Sequence, residues 1–214
     1  MKKRTDRTLA TRTPGRKPRN LPQELPALLL LTDSRRLPDP LPAAARLPRG
    51  SGVILRHYEW PRAQRLALAI ELARLCRRRG LLLLVAGDAG LALAAGAAGV
   101  HLPEGLGHLA AGLRRQRRGW IVTQAAHGAG AVARAARIGT ARNGADAVLV
   151  SPVFPTASHP GAAGLGVVRF AALAMQAARN GLAVYALGGV TAANARRLCG
   201  IPLAGLAGIS GMTA

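Results

Sequence analysis

Four of the five histidines, His57, His101, His127 and His159, sit at or just beyond the ends of short apolar runs. Asp33, Arg56, Asp88, Ser151, Thr156, Ser158, Gly188, Gly189 and Ser210 lie at similar points. Such side chains can exchange protons, pair with anions or present hydroxyl donors. Two local patterns concentrate this chemistry. The stretch SPVFPTASHPGAAGLG (151–166) follows the valine-rich GADAVLV and mixes prolines, glycines, hydroxyls and a histidine. It is a specially shaped loop of the kind that carries function more often than packing. Further on, ALGGV (186–190) leads into TAAN, and AGISG (207–211) follows one unit later. A glycine pair closing an apolar run lets the backbone approach a ligand, and amides beside a helix start form a nest for an anion. Gly188, Gly189 and Ser210 are thus candidates for a phosphate site.

These residues need elements to hold them. Eight apolar runs recur along the chain: 27–33, 52–57, 81–88, 98–102, 120–127, 145–154, 182–189 and 203–211. Runs apolar on both faces suit parallel strands covered by helices. Between them lie helix-like stretches, among them PRAQRLALAIELARLCRRR with Pro61 at an N1-like position, GAVARAARIGTARN, VVRFAALAMQAARN and TAANARRL. Regular alternation of this kind predicts a single (β/α)8 barrel, with an open doubly wound sheet as the alternative. The active site of such a barrel lies at the C-terminal ends of its strands, where the residues above fall. The last helix is expected to be short or missing. Residues 1–22 are expected to form a disordered basic tail, and 23–214 the barrel domain.

The net charge of +21 is unevenly spread: residues 1–20 hold eight Lys or Arg against one Asp, and every lysine (Lys2, Lys3, Lys17) lies there. An arginine-only body rich in Ala and Gly reflects compositional bias more than a partner, and aromatics are only 3%. RRQRRG (114–119) has no interleaved aromatic and reads as the solvated end of a helix, which argues against nucleic acid. Cys76 and Cys199 lack metal-ligand spacing and read as reduced thiols. The tail lacks a signal-peptide core and LPALLLL is too short to span a bilayer, so the expected location is the cytoplasm and no membrane partner is expected. A homo-oligomer remains open.

Four segments together resemble the thiamine phosphate synthase and thiazole tautomerase family over about residues 27–211: LLLLTD, GAAGVHL, GADAVLVSPVFPTASH and ALGGV with its following Asn. The third is long and specific. In this family that loop cups the phosphate and ring of a thiazole phosphate. The resemblance therefore implies that Thr156, Ser158 and His159, with Gly188, Gly189 and Ser210, bind that ligand. The activity it implies is a transferase step of thiamine biosynthesis, in which hydroxymethylpyrimidine diphosphate is coupled to the thiazole phosphate and diphosphate leaves. Stabilising that departure calls for Mg²⁺ and cationic side chains.

The sequence departs from the family in the diphosphate half. Its strand-two pattern Q-x-R-x-K is here Ile54, Arg56 and Tyr58. Only Asp88 and Glu104 are carboxylates near the strand-three and strand-four ends, so they are the candidate Mg²⁺ ligands. His159 stands where the family has a loop lysine. Arg56 is the implied catalytic cation. His127, at the end of the fifth run, matches the proton-shuttling histidine of the tautomerase branch. Thiazole tautomerisation is thus a second expected activity, and a non-catalytic barrel that binds a phosphorylated ligand is a third. His101 is either a site residue or a core histidine satisfied by hydrogen bonds.

Overall fold

The computed structural model describes residues 24–139, 144–156 and 163–209. The chain runs β1 (Leu28–Leu31), α1 (Leu41–Ala45), β2 (Gly52–Leu55), α2 (Arg62–Arg79), β3 (Leu82–Ala86), α3 (Ala89–Ala94), β4 (Gly99–Leu102), α4 (Ala110–Gln116), β5 (Ile121–Ala126), α5 (Ala129–Gly139), β6 (Ala147–Val150), α6 (Gly166–Arg179), β7 (Ala183–Leu187) and β8 (Gly205–Gly208). The strands pair in sequence order, all parallel, and β8 returns to β1 through Leu28↔Leu206 and Leu29↔Ala207 to close the barrel. The expected (β/α)8 barrel is the observed fold, and each of the eight apolar runs contains one strand.

Side chains alternate between the two faces of each strand, which sorts the core into an inside and an outside. Leu29, Leu31, Ile54, Leu84, Leu149 and Tyr185 fill the barrel interior. Leu30, Val53, Leu55 and Val85 point outward onto Leu68, Leu72 and Cys76 of α2. On the opposite side, Val148, Val150 and Val184 pack on Phe170 and Leu173 of α6. Burying each of these large side chains contributes roughly 1.5–3 kcal/mol. Within the barrel, the Tyr185 hydroxyl donates to the Pro26 carbonyl at 2.7 Å, tying β7 to the segment that enters β1.

Two local readings need correction. Pro61 is the N-cap of α2 (φ −52, ψ 141), not its first helical residue. TAANARRL does not form an α-helix: only Ala195–Leu198 coil, as a 3-10 turn. Asn194 anchors this turn. Its Oδ1 accepts the Thr191 N–H and its Nδ2 donates to the Gly189 carbonyl, both at 2.8 Å, so the side chain ties the segment back to the end of β7. Arg114, from the basic run, reaches Asp146 at 2.6 Å and the Gly144 carbonyl at 2.8 Å. The expected basic tail and the expected short or missing last helix lie outside the described residues. Among the described residues, no helix is long and apolar enough to cross a membrane.

Candidate active site at the mouth of the barrel

The first two strand ends are joined by one hydroxyl. Thr32 Oγ1, just past β1, accepts the Arg56 backbone N–H at 2.9 Å and faces His57 Nδ1 at 2.8 Å. His57 Nε2 lies 3.2 Å from the Pro38 carbonyl. A carbonyl only accepts, so Nε2 carries the proton and Nδ1 accepts from Thr32. With both ring nitrogens engaged and the ring edge-on to Trp60, His57 is held at φ +36, a backbone region rare for residues other than glycine. The buried His57 is therefore a structural clamp that aims its neighbour Arg56. Asp33 works locally: its Oδ1 accepts the N–H groups of Arg35 and Arg36 at 3.1 and 3.0 Å. Burial pushes its carboxyl pKa up, but those two bonds and the Arg56 charge outweigh it and hold the group below its usual value.

Arg56 projects at the mouth with its guanidinium 5.8 Å from the Tyr58 ring centroid. Arg65, from the first turn of α2, stands 5.3 Å from the same ring and donates from Nη2 to the Ala86 carbonyl at the end of β3. Two guanidiniums thus share one tyrosine. The Tyr58 ring also lies against Gly87, where a Cβ would come within 3.3 Å of it.

His101 on β4 is directly opposite Thr123 on β5 in the register, and its Nδ1 lies 2.9 Å from the Thr123 hydroxyl. Complete burial, with Arg56 and His127 nearby, lowers its pKa to about 3. It is a neutral interior residue held through Nδ1. Of the two readings of His101, the core histidine is the one its surroundings favour.

The next carboxylates are both engaged. Asp88 caps α3, its Oδ1 accepting the Leu91 N–H at 2.7 Å, and its Oδ2 lies 3.4 Å from Arg62 Nε. Glu104 Oε2 accepts the backbone N–H and the ring Nδ1–H of His127, each at 2.8 Å, while Oε1 meets Arg134 at 3.3 Å. Burial raises the Glu104 pKa, but His127 and Arg134 more than offset this and hold it low. Among the described residues, no group of three His, Cys, Asp or Glu side chains could hold a metal ion. Asp88 and Glu104 are hard oxygen donors of the right type for Mg²⁺, but each already serves a backbone N–H and an arginine. As they stand, they do not fit a metal site built by the protein alone.

Across the mouth, the loop after β6 folds onto the end of β7. Val153 N–H and Phe154 N–H donate to the carbonyls of Leu187 and Gly188 at 2.9 and 3.0 Å. Gly188 and Gly189 have φ of +89 and +66. A Cβ on Gly188 would lie 2.8 Å from Pro152 Cα and 3.4 Å from the Thr156 methyl; one on Gly189 would lie 2.4 Å from the Pro155 carbonyl oxygen. The glycines are therefore needed first for the loop to dock, and Thr156 reaches Gly188 only because it does. Ser158, His159 and Ser210 lie outside the described residues.

Sequence reasoning passed over Thr32, Arg65, Thr123 and Arg134. Arg65 had a readable signal. It occupies the first position of the apolar stripe Leu68, Leu72 and Cys76 on α2, where an arginine is out of character.

The sequence profile described as thiamine monophosphate synthase matches residues 30–212. The chain belongs to this family. Among curated members, the thiamine-phosphate synthase of Chromobacterium violaceum is 36% identical over 156 residues, covering 72% of each chain. That of Chlorobium luteolum is 33% identical over 190 residues, covering 88% of this chain and 85% of the other. Among solved structures, a thiamine phosphate pyrophosphorylase from Pyrococcus furiosus superposes with a TM-score of 0.72 at 23% identity, covering 91% of each chain. At that identity the superposition speaks for the barrel alone. The match to the thiamine monophosphate synthase family spans both the loop after β6 and the glycine pair after β7.

Proposed function

We propose that the protein is a thiamine-phosphate synthase that joins hydroxymethylpyrimidine diphosphate to a thiazole phosphate in the cytoplasm. Beyond family membership, the observation that carries this reading is the docking of the β6 loop on Gly188 and Gly189. It brings Thr156, whose methyl packs beside Gly188, to the glycine turn at the end of β7, where we place the thiazole's phosphate. In the reaction the C–O bond between the pyrimidine's methylene carbon and the diphosphate breaks, the thiazole nitrogen supplies the electron pair for a new C–N bond, and diphosphate leaves. Arg56, aimed by the Thr32–His57 clamp, is the residue we assign to the negative charge that develops on the leaving group. Neutral His101 beneath it adds no positive charge next to the electron-poor carbon. No step is assigned to Mg²⁺.

The deciding experiment is incubation of pure protein with both precursors, with and without Mg²⁺, assayed for diphosphate and thiamine phosphate. Product formation supports the reading; its absence under both conditions rejects it. A second reading, thiazole tautomerisation, has one specific observation in its favour. His127 gives its Nδ1–H to Glu104, which leaves Nε2 as the atom for proton exchange, an arrangement suited to a general base.

A further inference from the structure

Arg65 is 8% exposed, and its guanidinium lies at the C-terminal end of β3. Of its five N–H groups, one has a protein acceptor among the described residues, the Ala86 carbonyl. Its Nε is buried with no partner. Among the described residues, no carboxylate forms an ion pair with it. Asp88, the nearby acid, gives its two oxygens to the Leu91 N–H and to Arg62. A buried cation without a bonded counter-charge is costly, and native proteins keep such groups where something else completes them. Burial accordingly depresses its pKa, with partial relief from Tyr58 and Asp88.

What completes it must be anionic and must approach from the mouth. The route is lined by Arg56, whose guanidinium lies by the same Tyr58 ring, and Tyr58 itself is half-exposed and so not sealed in. We propose that Arg65 of α2 is a second diphosphate-binding cation, acting with Arg56 beside Tyr58 as a pair of guanidiniums that grips the pyrimidine's diphosphate. This deepens the coupling reading and rests on it for the identity of the ligand. In this arrangement the clamp draws on a strand end and on a helix start. The Tyr58 ring gives each cation a π contact while no anion is bound.

The test is calorimetric titration of the full chain with inorganic pyrophosphate, which needs no turnover. Arg65→Gln keeps an amide donor for the Ala86 carbonyl but removes the charge, and should weaken pyrophosphate binding by about ten- to a hundredfold. Arg65→Lys retains charge without the fork and should recover part of that loss. Arg78→Gln, at the other end of the same helix, should bind as wild type does. Circular dichroism checks that each variant is folded; if Arg65→Gln is not, the comparison of Arg65→Lys with wild type decides. Wild-type affinity in a folded Arg65→Gln or Arg65→Lys protein would overturn the proposal, as would a wild type that does not bind pyrophosphate. A wild type that binds pyrophosphate through Arg65 but forms no thiamine phosphate would instead reject the coupling reading and leave the anion site standing.

Discussion

Glu104 Oε2 holds His127 twice, through the backbone N–H and through ring Nδ1–H, at 2.8 Å each. The double hold fixes the ring's tautomer and direction; removing the Glu104 carboxylate releases both bonds, whereas substituting His127 removes only the ring's. It makes His127 a firm test of which reaction the barrel performs. If coupling is the activity, Arg56→Ala should lower it by roughly thirty- to a thousandfold, the loss of a charge-assisted contact to the leaving group, and His127→Ala should do less. If tautomerisation is the activity, the order reverses, with His127→Ala costing about 10²–10⁴-fold. Both variants measured in both assays decide; equal losses in one assay would contradict both assignments.

Gly188→Val should loosen the loop after β6. The substitution meets a φ of +89 and a collision with Pro152 at 2.8 Å. The strained backbone alone costs about 1–3 kcal/mol, which lowers the melting midpoint by several degrees in a chain of this size. Thiazole phosphate affinity should fall more than tenfold with it. Gly200→Ala is the matching control: φ is +82, but a Cβ there meets nothing within 4 Å. It should lower the melting midpoint and leave affinity unchanged. Calorimetric titration with thiazole phosphate and thermal melts of both variants make the comparison.

His101 should make the fold acid-sensitive. Its pKa is about 3 in the folded chain against an ordinary 6.5. Between those values the unfolded chain takes up a proton that the folded chain refuses. The contribution is therefore fully present above about pH 6.5 and is lost as pH falls toward 3, at about 1.4 kcal/mol per pH unit within the window. From pH 7 to pH 5 the loss is about 2 kcal/mol. The low-lying carboxyls of Asp33 and Glu104 also lose stability in acid, but below this interval. Urea unfolding at pH 7 and pH 5 should show a smaller difference in His101→Gln than in wild type.

Mg²⁺ should bind the ligand-free protein only at concentrations on the order of millimolar or higher, because Asp88 and Glu104 are already committed to arginines and N–H donors. Glu104→Ala should leave that weak binding nearly unchanged while releasing His127. Calorimetric titration with MgCl₂ reads the first effect, and the His127 ring resonances in NMR read the second. Micromolar affinity in wild type would contradict the prediction.

The barrel was legible because parallel strands buried on both faces appear as unbroken apolar runs, and each of the eight could be found that way. Residues 191–198 misled because helix-like composition does not show that the Asn194 side chain ties the segment back to Thr191 and Gly189 at the end of β7. The glycine pair was visible, but its first physical reason was not: Pro152 and Pro155 lie against it through a loop folded over a neighbouring strand, a contact between residues more than thirty positions apart. The pairings of His101 with Thr123 and of Glu104 with His127 depend on how β4 aligns with β5, and register is not written in either strand alone.

Closure of the barrel also sets a schedule for the chain as it is made. Leu28 of β1 pairs with Leu206 of β8, and Tyr185 reaches Pro26 across 159 positions. With every strand parallel, no hairpin can protect β1 early, and one edge of it stays unpaired until nearly the whole sequence has been synthesised. At roughly 5–20 residues per second that interval lasts on the order of ten to forty seconds. Throughout it, the leucines of β1 present an open apolar edge to other nascent chains, so the period of greatest aggregation risk is set by the return of β8.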